Sequence, residues 1–309
     1  MKQKAKKLGA AMIVFLMLTG CSLPGLAGTS QEAIKIGALG TSEAEILAEM
    51  LSIMIERETD AETELVTHLG SSIVQHQGMT RGDLDITAAR YTGTDLSGSL
   101  GMEPVTNPDK AMDIVQEEFQ KRFHQTWAEP YGFENAYAVT VTREFAEEHN
   151  IETISDLAPY ADQLRFGVDN SWINRKGDGY DGFQETYFPF GEVYPMSIGL
   201  VYQAAASGHM DVVLAYSSDG RIQEFDLKVL EDDRQFFPPY DASPVIQNDV
   251  LKKYPEIRDI TKRLHGAIST ETMQKLNYQA DVELMNPRQV AEEFLKEHNY
   301  FEETKGGGE

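Results

Sequence analysis

The chain has few of the residues that build covalent or catalytic centres. Its 309 residues include a single cysteine, Cys21, which excludes an intrachain disulfide. The seven histidines are scattered, and there is no His-Glu-x-x-His zinc motif, no Gly-x-Ser-x-Gly nucleophile motif and no phosphate-binding loop. The adjacent acids Asp232 and Asp233 are expected to be solvated loop residues. We therefore predict a protein that is not an enzyme and that holds no metal and no cofactor.

Basic residues are also scarce. Lysine and arginine together number 27 against 50 aspartates and glutamates, so the formal net charge is −23 at pH 7. An acidic surface of this kind argues against nucleic acid and against anionic lipid as ligands. Solubility in a salty extracellular setting explains the charge equally well, so the charge alone identifies no ligand.

The N-terminal segment has the features of a bacterial lipoprotein signal. Four lysines and no acid precede an apolar run at residues 8–18, which is too short to span a bilayer and is typical of a signal-peptide core. The run ends in Leu-Thr-Gly-Cys, which resembles the lipobox, in which cleavage leaves the cysteine as a lipidated N-terminus. An unmodified thiol behind an ordinary cleaved signal is the alternative.

These features predict the organisation of the first 32 residues. Residues 1–20 are expected to be the signal peptide, and Cys21 the lipidated residue that anchors the protein to the outer face of the bacterial cell membrane. Residues 21–32, which are rich in Gly, Ser and Pro, are expected to be a flexible tether.

Strand and helix patterns alternate through the first third of the remaining chain. Short apolar runs predict strands at 34–39, 64–67 and 84–89, and helical spacing or capping signals predict helices in between. Ser42 and Glu45 have the spacing of a capping box at the start of the first helix. The βαβαβ order predicts a mostly parallel sheet with helices on its faces.

The rest of the chain predicts a second lobe and two crossovers. Strands are expected at 136–141, 164–168, 212–215 and 227–230, and helices at 196–207 and at several places after residue 250. Segments containing Pro and Gly, near residues 129–137 and 235–243, are expected to cross between the lobes. The predicted boundaries are one lobe of residues 33–130 plus 241–301, a second lobe of residues 131–240, and a disordered tail at 302–309.

Four tyrosines lie where strands end or where the chain crosses between lobes. Aromatic ring faces attract quaternary ammonium groups by roughly 0.5–2 kcal/mol for each contact. If both lobes face one cleft, these rings can line it. Tyrosine is also common in cores and at rims, so position alone leaves both interpretations open. The four are Tyr91, Tyr137, Tyr216 and Tyr240.

Several segments resemble one known family. Arg-Tyr-Thr-Gly-Thr-Asp at 90–95, Ala-Tyr-Ser-Ser-Asp-Gly-Arg-Ile at 215–222 and Phe-Phe-Pro-Pro-Tyr at 236–240 together resemble the substrate-binding proteins of osmoprotectant ABC transporters. The resemblance runs over nearly all of residues 33–301. It implies the α/β, two-lobed periplasmic-binding-protein fold (type II), with the ligand held in the cleft between the lobes.

The resemblance also implies a function. The expected protein is an extracytoplasmic lipoprotein, monomeric, that binds glycine betaine, carnitine, choline or a related quaternary ammonium compound and delivers it to an ABC permease. The family's cage tyrosines fall on the four tyrosines above, and its hydroxyl for the ligand carboxylate falls on Thr94. A sensor or binding lipoprotein of the same fold, without transport, is the alternative.

One departure from the family concerns the polar end of the ligand. Many members carry a glutamine just after the first strand, whereas here residues 38–41 are Ala-Leu-Gly-Thr. Thr41 or Ser42 is a candidate substitute, unless the polar end of the ligand differs. Arg175, in a loop rich in Asp, Asn and Gly, is a further candidate for a ligand carboxylate, and a surface arginine is the alternative.

Overall fold

The computed structural model describes residues 33–170, 172–175 and 178–301. The predictions for the signal peptide, for Cys21, for the tether and for the tail at 302–309 lie outside these residues. Within them, no helix is both long enough and apolar enough to cross a membrane.

A five-stranded mixed sheet with the order β2-β1-β3-β10-β4 forms the first lobe. Its strands are β1 (Ile34–Leu39), β2 (Thr63–Leu69), β3 (Ile86–Tyr91), β4 (Gln125–Trp127) and β10 (Ala242–Gln247). β1 pairs in parallel with β2 and β3, as the βαβαβ pattern predicts. β10 returns from the far end of the chain and pairs antiparallel with β3 and β4, which makes the sheet mixed.

Helices cover this sheet. They are α1 (Ser42–Glu58), α2 (Ser72–Arg81), α3 (Thr92–Gly98), α4 (Pro108–Phe123), α9 (Asn248–Lys253), α10 (Ile257–Leu264), α11 (Thr270–Asp281) and α12 (Pro287–Glu297). Most of the side chains of α1 are buried, as expected for a central helix that packs against strands on one side and against α12 on the other.

The predicted cap of α1 is wrong by one residue. The Thr41 side chain accepts a hydrogen bond from the backbone N–H of Ala44, at 3.3 Å, so Thr41 is the N-cap and Ser42 is the first helical residue. The Ser42 hydroxyl instead donates to Asp281 of α11. Thr41 has the extended backbone that an N-cap requires.

The second lobe contains another mixed five-stranded sheet, with the order β7-β6-β8-β5-β9. Its strands are β5 (Tyr137–Thr142), β6 (Arg165–Asp169), β7 (Glu192–Met196), β8 (Val212–Tyr216) and β9 (Leu227–Val229), and its α-helices are α5 (Arg143–His149), α6 (Tyr180–Thr186), α7 (Ile198–Ala206) and α8 (Arg221–Glu224). Two 3₁₀ turns, Ile154–Leu157 and Ala161–Gln163, precede β6. β7 was not predicted, because it is an exposed edge strand that contains Pro195 and has no apolar run.

Two crossover segments join the lobes and lie side by side. Glu134 and Asp241 form an isolated antiparallel bridge between them. The backbone N–H of Asn135 donates to Tyr240 O at 3.1 Å, and that of Tyr131 donates to Ala242 O at 2.9 Å. The crossovers therefore support each other rather than running as two independent loops.

Asp232 helps to shape the second crossover. It is half-buried, and its carboxylate accepts hydrogen bonds from the backbone N–H groups of Phe236, at 3.0 Å, and Phe237, at 2.8 Å. The expectation of a solvated pair therefore holds for Asp233, which is exposed, and only in part for Asp232. The carboxylate satisfies backbone donors that the turn before Pro238 would otherwise leave unpaired.

The lobes also meet at α11. Gln274 Nε2 donates to Ser217 O at 2.7 Å, and Asn277 Nδ2 donates to Ser218 O at 2.8 Å. A Cβ atom on Gly220 would lie 2.5 Å from the backbone nitrogen of Tyr278, so only glycine allows the turn at 217–220 to approach α11 this closely.

Candidate functional site

The four tyrosines singled out by the sequence line one cavity of about 350 Å³ between the two sheets. This volume lies within the range of small-molecule sites. The first lobe contributes Tyr91 and the second contributes Tyr137 and Tyr216, while Tyr240 comes from the second crossover. The complete lining is Leu39, Ser72, Tyr91, Thr94, Ser97, Asn135, Tyr137, Arg175, Tyr216 and Tyr240.

Strand topology explains why these residues meet. Leu39, Tyr91 and Tyr216 are the last residues of β1, β3 and β8. The carboxyl ends of strands in open α/β sheets are the usual place for ligands, because the chain leaves the sheet there and its loops form a crevice. Tyr137 begins the antiparallel strand β5 and is the register partner of Tyr216, so both side chains reach the same edge.

Tyr137 and Tyr216 form one aromatic wall. Their rings are stacked, with centroids 5.2 Å apart and planes inclined at 26°. Burial, together with a hydrogen bond to Tyr216, raises the pKa of the Tyr137 phenol, so the ring is neutral at physiological pH. The wall therefore offers a neutral ring face, whose quadrupole attracts cations.

A cation already lies over this wall. The guanidinium carbon of Arg175 is 5.6 Å from the centroid of the Tyr137 ring. Arg175 also forms an ion pair with Asp178, in which Nε donates to Oδ1 at 3.0 Å. The arginine predicted from the loop thus lines the cavity, with its charge partly compensated by a neighbouring carboxylate.

The opposite wall is formed by residues 90–95 and 236–240, two of the segments that resemble the osmoprotectant-binding family. These two segments are in direct contact. The backbone N–H of Gly93 and the hydroxyl of Thr92 both donate to Pro239 O, each at 2.9 Å. A Cβ atom on Gly93 would lie 2.7 Å from that oxygen and 3.2 Å from Tyr240 Cε1. Glycine at 93 therefore lets the turn that carries Thr94 approach Tyr240.

A buried ion pair lies behind this wall. Arg90 Nε donates to Asp95 Oδ2 at 2.8 Å, and both side chains are at most 1 % exposed. The hydroxyl of Ser99 bonds to the same carboxylate. Because Arg90 is in β3 and Asp95 is in α3, the pair fixes the helix turn that presents Thr94 and Ser97 to the cavity.

Thr41 and Ser42, the candidates for the missing glutamine, lie outside the tyrosine-lined cavity. Thr41 lines a neighbouring depression of about 640 Å³, together with His68 and Thr94, whereas Ser42 lines neither space. Thr94 and Ser72 border both, so the two spaces adjoin each other. A ligand too long for the tyrosine-lined cavity therefore has room to extend into this depression.

Four further lining residues were not predicted from the sequence, namely Leu39, Ser72, Ser97 and Asn135. Leu39 ends a strand, Ser72 begins a helix and Ser97 lies within a helix. No local sequence pattern distinguishes these three residues from others at such positions. Asn135 lies two positions before Tyr137 in a predicted crossover, and that position is the one signal that would have indicated it.

A larger cavity of about 800 Å³ borders β5 and the edge strand β9. Of the four tyrosines, Tyr137 alone lines this cavity, and the other lining side chains are chiefly polar, charged and aliphatic. Among the residues that the structure describes, no group of three or more His, Cys, Asp or Glu side chains is arranged to hold a metal. The smaller cavity, with four aromatic rings, is therefore the better candidate for a cationic organic ligand.

A family model, a named relative and a solved structure each match most of this chain. A family model described as the substrate-binding domain of the ABC-type glycine betaine transport system matches residues 32–297. The carnitine transport binding protein OpuCC of Listeria monocytogenes is 51 % identical over 288 residues, which cover 93 % of this chain and 94 % of that protein. A solved structure described as a glycine betaine/carnitine/choline ABC transporter is also 51 % identical, with a TM-score of 0.85, and covers 87 % of this chain and 100 % of the other.

A third relative has a different architecture. The ergothioneine transport permease/ergothioneine binding protein EgtU of Helicobacter pylori is 33 % identical over 289 residues. The alignment covers 93 % of this chain but only 51 % of that protein, whose name joins a permease and a binding protein.

Proposed function

Because this chain belongs to the family of substrate-binding domains of ABC-type glycine betaine transport systems, we propose that it captures a trimethylammonium compound outside the cytoplasm and delivers it to an ABC permease. The family is one of binding domains, so the protein binds its substrate without converting it. The observation that carries the proposal is the convergence of Tyr91, Tyr137, Tyr216 and Tyr240 on one cavity.

The ligands named for the relatives share one chemistry. Glycine betaine, carnitine, choline and ergothioneine all carry a trimethylammonium group, and all of them except choline also carry a carboxylate. Trimethylammonium has no N–H to donate, so aromatic faces suit it better than carboxylates alone. In the proposed complex the tyrosines surround the ammonium group, and the Thr94 hydroxyl, with Arg175 nearby, takes the carboxylate. Ser72 and Ser97 also line the cavity, and the hydroxyl of Ser97 donates to Gly93 O at 3.2 Å.

Capture requires both lobes. The proposed lobes are residues 33–130 plus 241–301 and residues 131–240, which close about the paired crossovers. Neither lobe alone surrounds the cavity, because Tyr91 and Tyr216 belong to different sheets. Ligand binding then stabilises the closed arrangement by its differential affinity, and the permease recognises the closed form.

Calorimetric titration tests the proposal. The purified protein without its first 20 residues is titrated with glycine betaine, carnitine, choline and glycine. We expect saturable binding of at least one trimethylammonium compound and none of glycine, which lacks the methyl groups that fill an aromatic cage. Absence of binding by all three methylated compounds at millimolar concentration would refute the proposed function.

The proposed location depends on Cys21. The Cys21→Ser variant should lose its lipid and leave the membrane fraction, appearing either unprocessed or in the medium, because the lipid is the proposed anchor. Metabolic labelling with a radioactive fatty acid and blotting of cell fractions measure both effects. Ser22→Ala, beside the cleavage site, is the control and should behave as the wild type. Equal partitioning of wild type and Cys21→Ser into membranes would contradict the anchor.

A further inference from the structure

A buried carboxylate lies directly behind the cavity. Glu43, the second residue of α1, is 3 % exposed. Its Oε1 accepts hydrogen bonds from the hydroxyl of Tyr91, at 2.5 Å, and from Asn135 Nδ2, at 3.1 Å. Its Oε2 accepts from Asn277 Nδ2 at 3.3 Å. Two of these three donors, Tyr91 and Asn135, are lining residues of the tyrosine cavity.

This carboxylate has no cationic partner within the part of the chain that the structure describes. The ion pairs among residues 33–170, 172–175 and 178–301 do not include Glu43. Burying a charge without a counter-ion is costly, and two local features reduce this cost. Three hydrogen-bond donors, the Tyr91 hydroxyl and the amide groups of Asn135 and Asn277, face the carboxylate oxygens. Its place in the first turn of the 17-residue helix α1 adds the favourable field of the helix N-terminus.

The same carboxylate is tied to both lobes. Asn277 Nδ2 also donates to Ser218 O in the second lobe, at 2.8 Å. Asn135 belongs to the first crossover, and Tyr91 ends a strand of the first sheet. Glu43 is therefore held at a point where the first lobe, a crossover and the second lobe meet, so its position relative to the cavity is defined when the lobes are together.

We propose that Glu43 supplies the negative counter-charge for the bound ammonium group, acting through Tyr91 and Asn135 as a positioning residue. This inference rests on the proposed function. A ligand ammonium in the cavity has the Tyr91 ring or the Asn135 amide between itself and the carboxylate, so the charges attract each other across a low-dielectric interior rather than across water. A phenol that donates a strong hydrogen bond to a carboxylate also becomes more electron-rich, which strengthens the attraction of its ring face for a cation.

An isosteric ligand pair separates this electrostatic role from a structural one. Glycine betaine and 3,3-dimethylbutanoate have nearly the same shape and the same carboxylate, but a carbon replaces the charged nitrogen in the second compound. Choline and 3,3-dimethylbutan-1-ol form a second pair without the carboxylate. The ratio of the two affinities within a pair measures the contribution of the positive charge, and a general loosening of the site changes both affinities together.

The Glu43→Gln variant removes the charge and keeps the size of the side chain. We expect the affinity for glycine betaine to fall roughly tenfold, with a much smaller change for 3,3-dimethylbutanoate, so that the ratio falls roughly tenfold. Glu43→Asp retains the charge and should keep most of the wild-type ratio. Tyr91→Phe, which keeps the ring but removes the hydroxyl between ring and carboxylate, should lower the same ratio, and less so in the Glu43→Gln background.

Glu45→Gln is the matched control. Glu45 lies one half-turn further along the same helix and pairs with the exposed His68, with 2.9 Å between Oε1 and Nδ1. Its substitution should leave both affinities unchanged. Equal losses for both members of a ligand pair in Glu43→Gln would overturn the inference. If Glu43→Gln does not fold, an unchanged ratio in Tyr91→Phe would overturn the inference, and a lowered ratio would support it.

The two failures are distinguishable. A wild-type protein that binds none of glycine betaine, carnitine and choline refutes the proposed function and the inference together. A wild-type protein that binds them with the same selectivity as Glu43→Gln refutes the inference alone.

Discussion

Tyr216→Ala should weaken the binding of a trimethylammonium ligand by roughly 5- to 150-fold, which corresponds to about 1–3 kcal/mol. The Tyr216 ring is stacked on that of Tyr137 and lines the cavity, so its removal takes away a cation-attracting face and part of the apolar enclosure. It also leaves the Tyr137 ring more exposed to water. Isothermal titration with glycine betaine or carnitine measures the loss.

Two variants control this prediction. Tyr216→Phe keeps the ring and should stay within about threefold of the wild type, because the ring and not the hydroxyl supplies the attraction. Tyr194→Ala removes a tyrosine that is 41 % exposed and lies on the edge strand β7, outside the cavity, and should leave the affinity unchanged. Unchanged affinity in Tyr216→Ala, or an equal loss in Tyr194→Ala, would refute the assignment of the aromatic wall.

Asp95→Ala should lower the free energy of unfolding by about 3–5 kcal/mol, because it leaves the guanidinium of Arg90 buried without its counter-charge. The melting temperature should fall by about 10 °C, as expected for a chain of this size. Circular dichroism during heating and urea unfolding measure these quantities. Ligand affinity should fall as well, because the ion pair supports the turn that carries Thr94.

A surface pair and a double variant control the stability prediction. Asp249 pairs with Lys252 in full solvent, and Asp249→Ala should leave the melting temperature within about 1 °C of the wild type. Replacing both partners, as in Arg90→Met/Asp95→Leu, should recover much of the loss, because no buried charge then remains unpaired. If Asp95→Ala were as mild as Asp249→Ala, the buried pair would contribute nothing to the fold.

Most secondary-structure elements could be predicted because their signals are local. The apolar run at 34–39 is β1, and the helical spacing after residue 46 lies within α1. The errors occurred where local patterns were ambiguous. Both Thr41 and Ser42 are good capping residues, and the geometry of the chain entering α1 selected Thr41. β7 is exposed and contains a proline, so its pairing with β6 decides that it is a strand.

In the candidate site, too, some residues could be predicted from the sequence and others could not. Its tyrosines could be selected because strand ends and the family resemblance both indicated them. Glu43 could not, because an acid in the first turn of a helix usually faces solvent and stabilises the helix dipole. Its burial depends on Tyr91, Asn135 and Asn277, which lie 48, 92 and 234 positions away along the chain.

By itself, the sequence determined the elements, the α/β class and the residue types available to a site, since hydrophobic periodicity and turn chemistry act over a few neighbouring residues. Only the tertiary structure decided which of those residues meet. The return of the chain as β10 brings Pro239 to Thr92, 147 positions away, and the register of β5 on β8 sets Tyr137 beside Tyr216. Such contacts depend on how whole sheets pair and pack, because burial of the two cores selects one arrangement of the elements among many that share the same local patterns.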